Sequence, residues 1–165
     1  MEMRNPIEVL KSLQSRSGLF LAAPSSKTGY DKAWIRDNIY TSLGLEMVSP
    51  GQTVRVIQKI LDILKKHEYK IDYAIKEKPK HAYQYIHARY NAETLDEFWE
   101  EWGNKQNDAI GALLFKLGDL LSKGFNVLRN EDDKRIVDKL INYLESIEYW
   151  HDKESGMWEE FEEVH

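Results

Sequence analysis

Three short segments of this sequence each place a tryptophan beside charged or amide side chains. The first, AWIRDN (33–38), contains Trp34, Arg36 and Asp37 at an expected helix start. The tryptophan offers an apolar platform, the carboxylate accepts hydrogen bonds and the guanidinium donates them, which suits a ligand rich in hydroxyl groups. An ordinary salt bridge, with the aspartate favoured by the helix dipole, explains the same residues without a ligand.

The second segment, WGNKQNDA (102–109), is another junction between a loop and a helix. Trp102, Gln106, Asn107 and Asp108 bring polar groups that suit the lining of a cleft. Asn or Asp at a helix start also serves as an ordinary cap, because its side chain accepts a backbone N–H. The segment by itself therefore leaves ligand binding and capping open.

The third segment, GMWEE (156–160), carries two adjacent carboxylates. Gly156 permits a tight turn, and Trp158 packed beside Glu159 would raise the pKa of that carboxyl group so that it stays protonated and can donate. A solvated acidic helix start gives the same pattern, because acidic side chains are favoured at that end of a helix.

Composition limits the class of protein and of ligand. The chain has 165 residues, 42% hydrophobic and 31% charged, which predicts one globular domain over 1–165. The net charge of −5, with bases scattered among acids, argues against nucleic acid. There is no cysteine, and His81 and His87 lack partners at ligand spacing, so we expect no metal and no cofactor. No segment suits a membrane span or a secretory signal, which predicts no membrane association and a cytoplasmic protein.

Apolar spacing and capping residues predict about five helices and no strand pairing. Between 69 and 102 the helical period fails, so this stretch, rich in Tyr and Trp, is predicted to be a long loop. The predicted fold class is therefore all-α, with long aromatic loops. The helical segments are 5–16, 34–47, 49–64, 110–117 and 136–147.

In this order, the three segments together with IHARYN (86–91) resemble glycoside hydrolase family 15, the glucoamylases. The glucoamylase-like N-terminal domain of phosphorylase kinase regulatory subunits is similar in the same places, with a Trp-Val-Arg-Asp-Asn helix start, a His-Ala-Lys-Tyr-Asn loop and a Gly-x-Trp-Glu turn. The resemblance runs from about Ser17 to His165. It implies an (α/α)6 barrel of twelve helices, of which this chain would supply a part, with a sugar pocket at one end.

The resemblance also implies roles for single residues. Glu159 would be the general acid, and Glu160 matches a second acid of glucoamylases where phosphorylase kinase subunits carry arginine. The general base of the family lies far downstream, and inverting hydrolysis needs both carboxyl groups roughly 6.5–9.5 Å apart. The implied substrate-binding set is Trp34, Arg36, Asp37, Trp102, Asp108, Trp158 and Glu160.

Three functions remain open at this stage. The first is the N-terminal segment of a glucoamylase-like hydrolase of α-glucosides, inactive alone because the general base is missing. Such a segment would be either one half of a split enzyme completed by a companion chain or the product of a truncated reading frame. The second is a non-catalytic module that binds an oligosaccharide, as in the phosphorylase kinase resemblance. The third is a structural helical domain whose uncovered barrel face is buried by self-association as a homo-oligomer.

Overall fold

The computed structural model describes residues 5–100 and 102–156. Within these ranges the chain forms six α-helices and one small pair of antiparallel strands, β1 (Ala33–Trp34) and β2 (Arg89–Tyr90). The helices are α1 (Pro6–Ser12), α2 (Ile35–Glu46), α3 (Pro50–Lys66), α4 (Glu68–Lys76), α5 (Asp108–Ser122) and α6 (Glu131–Ser146).

The five predicted helices are all present, and local sequence explains where two of them begin. The side chain of Asn5 accepts the N–H of Ile7 at 3.0 Å, and Pro6 occupies the first turn of α1. Asn130 caps α6 in the same way, accepting the N–H of Asp133 at 3.0 Å. Each such cap satisfies a donor that the helix itself leaves open, which stabilises the helix by about 1 kcal/mol.

The core lies between α2, α3, α5 and α6. Helix α2 packs against α3 and α5, and α6 packs against α3 and α4. Ile57, Ile60, Leu61 and Leu64 of α3 recur at helical spacing and are all buried, as predicted. Each buried side chain of this size contributes roughly 1.5–3 kcal/mol. This packing holds the N-terminal ends of α2 and α5 in fixed positions.

The prediction of a loop over 69–102 is wrong in its first part, because α4 occupies Glu68–Lys76. The buried face of this helix consists of Lys70, Ile71 and Ala74. A lysine at a buried position interrupts the apolar period, and only the distant Glu97, whose Oε2 lies 2.6 Å from the Lys70 Nζ, makes that position suitable. Apart from a single 3-10 turn at Ala82–Gln84 and the strand β2, the remainder of the segment is irregular and rich in aromatic residues, as predicted.

The expectation of no strand pairing is also wrong, although the sheet is very small. Ala33 pairs with Tyr90 and Trp34 with Arg89. Two-residue strands carry no periodic signal, so only the tertiary fold reveals them. Among the described residues, no helix is long and apolar enough to cross a membrane.

Candidate functional site

The strand pair positions the AWIRDN segment. Trp34 is both the last residue of β1 and the residue before α2, and the N–H of Ile35 donates to the carbonyl of Ala88 at 3.0 Å. Helix α2 therefore starts where the backbone of β1 turns away from its partner strand β2. Arg36 and Asp37 consequently lie in the first turn of α2, the end at which acidic groups are favoured.

The IHARYN segment lies between the other two motifs. On the side that faces WGNKQNDA, the N–H of Ala88 donates to the carbonyl of Asn104 at 2.9 Å, and His87 forms an antiparallel bridge with Lys105. Segment 86–91 is therefore bonded to both AWIRDN and WGNKQNDA. The first turns of α2 and α5 are brought side by side by backbone hydrogen bonds that no spacing rule in the sequence predicts.

Arg36 links the two helix starts. Its Nη1 donates to Oε1 of Gln106 at 2.6 Å and lies 3.2 Å from Oδ2 of Asp108. Gln106 is held in turn by its Nε2, which donates to the carbonyl of Gly103 at 2.7 Å. The guanidinium is buried, whereas the Asp108 side chain is 37% exposed. A buried cation thus faces a carboxylate that is open to solvent and to a hydroxyl-rich ligand.

An aromatic cluster flanks this ion pair. The rings of Trp34 and Tyr30 stack with centroids 5.4 Å apart, and Trp102 meets Tyr30 edge-on at 5.5 Å. Arg89 lies with its guanidinium carbon 4.5 Å from the centroid of the Trp102 ring. Aromatic pairs and a cation over a ring each stabilise the arrangement by about 0.5–1.5 kcal/mol. Trp34 is only 1% exposed, so the apolar wall of this cluster is formed by Tyr30, which is 41% exposed, and by the half-buried Trp102.

The chain that leads to GMWEE runs along the start of α5. The N–H of Ser155 donates to the carbonyl of Lys105 at 3.0 Å, and Asp152 pairs with the buried ammonium of Lys105 at 3.2 Å. Gly156 has φ of 62°, the left-handed conformation that favours glycine, so the predicted turn at this residue is present.

Glu154 was missed by sequence reasoning and belongs to the same region. Its Oε2 accepts the backbone N–H of Asn107 at 2.5 Å, immediately before α5. Burial raises the pKa of Glu154, and the N–H of Asn107 opposes that rise. The signal available in the sequence was weak, because an isolated glutamate in a polar stretch is usually a surface residue.

The comparisons with known proteins give the family. Residues 3–165 match the family model described as "Glycosyl hydrolases family 15". The chain belongs to this family. The solved structure of a wild-type glycosidase superposes with a TM-score of 0.78 at 20% identity, covering 94% of this chain and 42% of that chain. A glycosidase variant solved in complex with glucose gives a TM-score of 0.77 with the same coverage.

Curated relatives of this family 15 chain include regulatory proteins. The probable phosphorylase b kinase regulatory subunit alpha of Caenorhabditis elegans is 26% identical over 149 residues, which cover 77% of this chain and 12% of the relative. The liver isoform of the same subunit from Mus musculus is 26% identical over 167 residues, covering 87% and 13%. The chain thus spans about an eighth of the length of these relatives. The suspected family, the helical fold and the likeness to phosphorylase kinase subunits are confirmed.

The structure brings together five of the eight predicted site residues of this family 15 chain. The ring of Trp34 meets that of Trp102, in the segment before α5, and Arg36 meets Asp108, the first residue of α5. Asp37 lies next to Arg36 in the first turn of α2. Trp158, Glu159 and Glu160 lie outside the described residues. Among the described residues there is no group of three or more His, Cys, Asp or Glu side chains that could hold a metal.

Tyr30, Arg89 and Gln106 are additional members of the site that the sequence-based set did not include. Arg89 belongs to the IHARYN motif, but the family resemblance assigned no role to this arginine. Tyr30 carried no signal of its own, since its place in the wall follows from the turn at Gly29. That glycine has φ of 76°, and a Cβ on it would lie 3.6 Å from the Trp102 ring.

Proposed function

We propose that the chain binds the terminal glucose of an α-glucoside at the junction of α2 and α5, as the sugar-holding part of a family 15 glycosidase. The observation that carries the proposal is the buried guanidinium of Arg36, held by Gln106 and Asp108 at the same junction as the wall of Tyr30 and Trp102. Such a site combines an apolar platform with directed donors and acceptors, the arrangement that recognises sugars by both ring faces and hydroxyls.

The proposed roles follow from the chemistry of each group. Asp37 and Asp108 accept hydrogen bonds from hydroxyls, and Arg36 donates. Glu159 would protonate the departing glycosidic oxygen, with Trp158 and Glu160 completing the pocket. Attack of water on the anomeric carbon needs a second carboxylate, which acts as the general base at a suitable distance from the acid. We expect that group to come from helices beyond these 165 residues, so the 165-residue polypeptide should bind sugar without hydrolysing it.

The binding test is a titration of the isotope-labelled 165-residue protein with the glucose analogue acarbose, followed by NMR. We expect saturable shifts at the backbone amides of residues 36–38 and 106–108. Asp37→Ala should weaken binding at least about tenfold, because a hydrogen bond to a charged group contributes about 1.5–3 kcal/mol. Asp132→Ala, which removes an exposed carboxylate at the distant start of α6, is the control and should bind as the wild type does.

Two results would contradict this proposal. Equal affinity for acarbose in the wild type and in Asp37→Ala would mean that the sugar does not bind at the α2–α5 junction. Hydrolysis of maltose or trehalose by the 165-residue protein, above the buffer rate and abolished by Glu159→Gln, would show that the catalytic site is already complete in this chain.

A second candidate function is a regulatory module that binds sugar and does not cleave it. The likeness to phosphorylase kinase regulatory subunits at 26% identity favours it. The same sugar-binding residues serve both functions, so the acarbose titration does not separate them. A hydrolysis assay on a protein that contains this chain and the further barrel helices distinguishes the two functions. A hydrolase should then cleave the glucoside, whereas a regulatory module remains inactive even when its barrel is complete.

A partner surface follows from the exposed side of α2. Tyr40, Leu43 and Met47 recur on one face of this helix and are 59%, 42% and 96% exposed, and Phe115 of the neighbouring α5 is 77% exposed. Leu43, Met47 and Phe115 line one shared depression. Apolar patches of this kind mark interfaces. We propose that further barrel helices, from the same or a companion chain, cover this face.

The partner proposal has its own measurement. Without those helices, we expect the 165-residue protein to self-associate through the exposed face and to show a mass above the monomer by light scattering. Leu43→Glu with Phe115→Glu should restore the monomer, whereas Leu121→Glu, which changes another exposed apolar side chain of α5, should leave the mass unchanged. A wild-type protein that is monomeric at high concentration would contradict the proposal.

A further inference from the structure

A cavity lies beside Trp102 and does not include the Arg36–Asp108 ion pair of the candidate site. It has a volume of about 650 Å³ and opens between α4 and the segment 81–104. Trp102 and Asn104 line it, whereas Arg36 and Asp108 do not. The volume is in the range of small-molecule sites, roughly 300–1,000 Å³. The lining is dominated by aromatic side chains, namely Tyr69, Tyr73, Tyr83, Phe98, Trp99 and Trp102.

Several of these rings are unusually exposed. Tyr69 is 62% exposed, Tyr83 is 69% exposed and Trp99 has its entire side chain open to solvent. A cluster of large aromatic surfaces in contact with water is a common mark of a binding site. One wall is also held rigid, because Nε2 of Gln84 donates to the hydroxyl of Tyr73 at 2.9 Å while its Oε1 accepts the N–H of His81. The rings are therefore available to a ligand without rearrangement of this wall.

His87 supplies a buried donor to the lining. Its Nδ1 accepts the N–H of Arg89 at 3.2 Å, so the single proton of the neutral ring is on Nε2. Burial lowers the pKa of His87 to about 3, and the positive charges of Lys70 and Arg89 add to this effect, so the ring is neutral at physiological pH. Nε2 is inaccessible to solvent and has no partner in good hydrogen-bond geometry among the described residues, although the backbone of Phe98 interacts with the ring and partly opposes the fall of its pKa. The residue as a whole is only 5% exposed.

Glu97 supplies an acceptor to the same lining. Its Oε2 is engaged by the ammonium of Lys70 at 2.6 Å. Its Oε1 is buried and has no hydrogen-bond partner among the described residues, the ring Nδ1 of His67 lying 3.6 Å away. A buried donor or acceptor without a partner destabilises the protein, and a ligand that satisfies it recovers that free energy.

We propose that this cavity is a second saccharide-binding site, separate from the one at the α2–α5 junction. The exposed aromatic faces match the apolar ring faces of a sugar. His87 Nε2 and Glu97 Oε1, which belong to residues of the same lining but are covered, offer one donor and one acceptor to sugar hydroxyls when a small shift of the lining uncovers them. A purely apolar ligand would leave both polar groups unsatisfied. An anion would face the carboxylates of Glu97 and Glu100.

The experiment is an NMR titration with maltotriose in the Asp37→Ala protein, in which the proposed first site is disabled. We expect saturable shifts at the Trp99 indole N–H, at the amide of Tyr83 and at the side-chain Nε2–H of His87. Tyr83→Ala with Trp99→Ala should weaken this binding at least about fivefold, since stacking on one ring contributes about 0.5–1.5 kcal/mol. Both side chains are exposed, so the double variant should fold. Trp150→Ala, which removes another half-exposed tryptophan, should bind as its parent does.

The two proposals fail independently in this design. No shifts at Trp99, Tyr83 and His87 in the Asp37→Ala protein, or affinity unchanged by the double variant, would overturn the second site. Retention of the acarbose response at residues 36–38 in the Tyr83→Ala and Trp99→Ala protein would still support the first. His87→Phe tests the polar contact, because it keeps the ring volume and should weaken maltotriose binding about fivefold or more through loss of the donor.

Discussion

Removal of the charge on Asp133 should destabilise the fold more than any exposed carboxylate does. Asp133 is fully buried near the start of α6 and accepts from Lys65 Nζ at 2.7 Å, from Arg129 Nε at 2.8 Å and from the backbone N–H of Arg129 at 2.9 Å. Because Lys65 belongs to α3, this carboxylate connects the two helices. Asp133→Asn keeps the shape of the side chain and removes the charge that both cations face.

The size of the effect follows from these contacts. Breaking a buried ion pair by removing one partner costs roughly 3–5 kcal/mol. Lys65 and Arg129 are 23% and 33% exposed and both keep Asp62 as a second partner, which places the expected loss near the lower end, about 3 kcal/mol. With an m-value of about 2 kcal/mol/M in urea, the midpoint of unfolding should fall by about 1.5 M.

The pH dependence gives an independent check. Burial opposes ionisation of Asp133, but hydrogen bonds from Arg129 and Lys65 outweigh it and hold the pKa well below its usual range. The stabilisation is therefore present above the unfolded-state pKa, about 3.9, and is lost as the pH falls through the lower folded-state pKa. The control is Asp132→Asn, an exposed carboxylate, with an expected change below about 0.5 kcal/mol. A midpoint shift for Asp133→Asn no larger than that of the control would refute the reasoning.

Two further predictions concern buried polar groups, Glu154 beside the site and Tyr143 in the core. Burial raises the pKa of Glu154 above its unfolded-state value, so ionisation of Glu154 opposes folding at neutral pH. Glu154→Gln should therefore raise the melting temperature at pH 7 but not at pH 4. An equal rise at both pH values would contradict this prediction. Tyr143 lies buried in α6 with its hydroxyl accepting the N–H of Ile86 at 3.2 Å, so Tyr143→Phe should lower the free energy of unfolding by about 1–3 kcal/mol, measured in urea. The exposed Tyr149→Phe is its control, and a matching change in both would rule out the hydrogen bond as the cause.

Local patterns in the sequence were sufficient for most of the helices. Asn5 and Pro6 mark the start of α1, and the apolar residues of α3 recur at the period that buries one helix face. These features depend on neighbours within one or two turns, so they can be read from sequence alone. The motif AWIRDN was likewise sufficient to select Arg36 as a site residue, but not to identify what holds it.

Contacts between distant segments decided the rest. Helix α4 was missed because Lys70 becomes compatible with burial only when Glu97 pairs with it, and β2 was missed because two-residue strands have no period. Glu154 and His87 looked unremarkable as isolated polar residues. Their altered pKa values arise from burial by segments far away in sequence.

The family, most helix positions and the residue types of the first site could be read from the sequence, because each depends on a local motif or a local period. The three-dimensional fold was needed to show that the backbone of residues 86–91 joins the starts of α2 and α5, and that an aromatic cavity lies beside Trp102. The physical reason is that these features depend on hydrogen bonds and burial between residues many turns apart, and such pairings leave no periodic trace in a single chain.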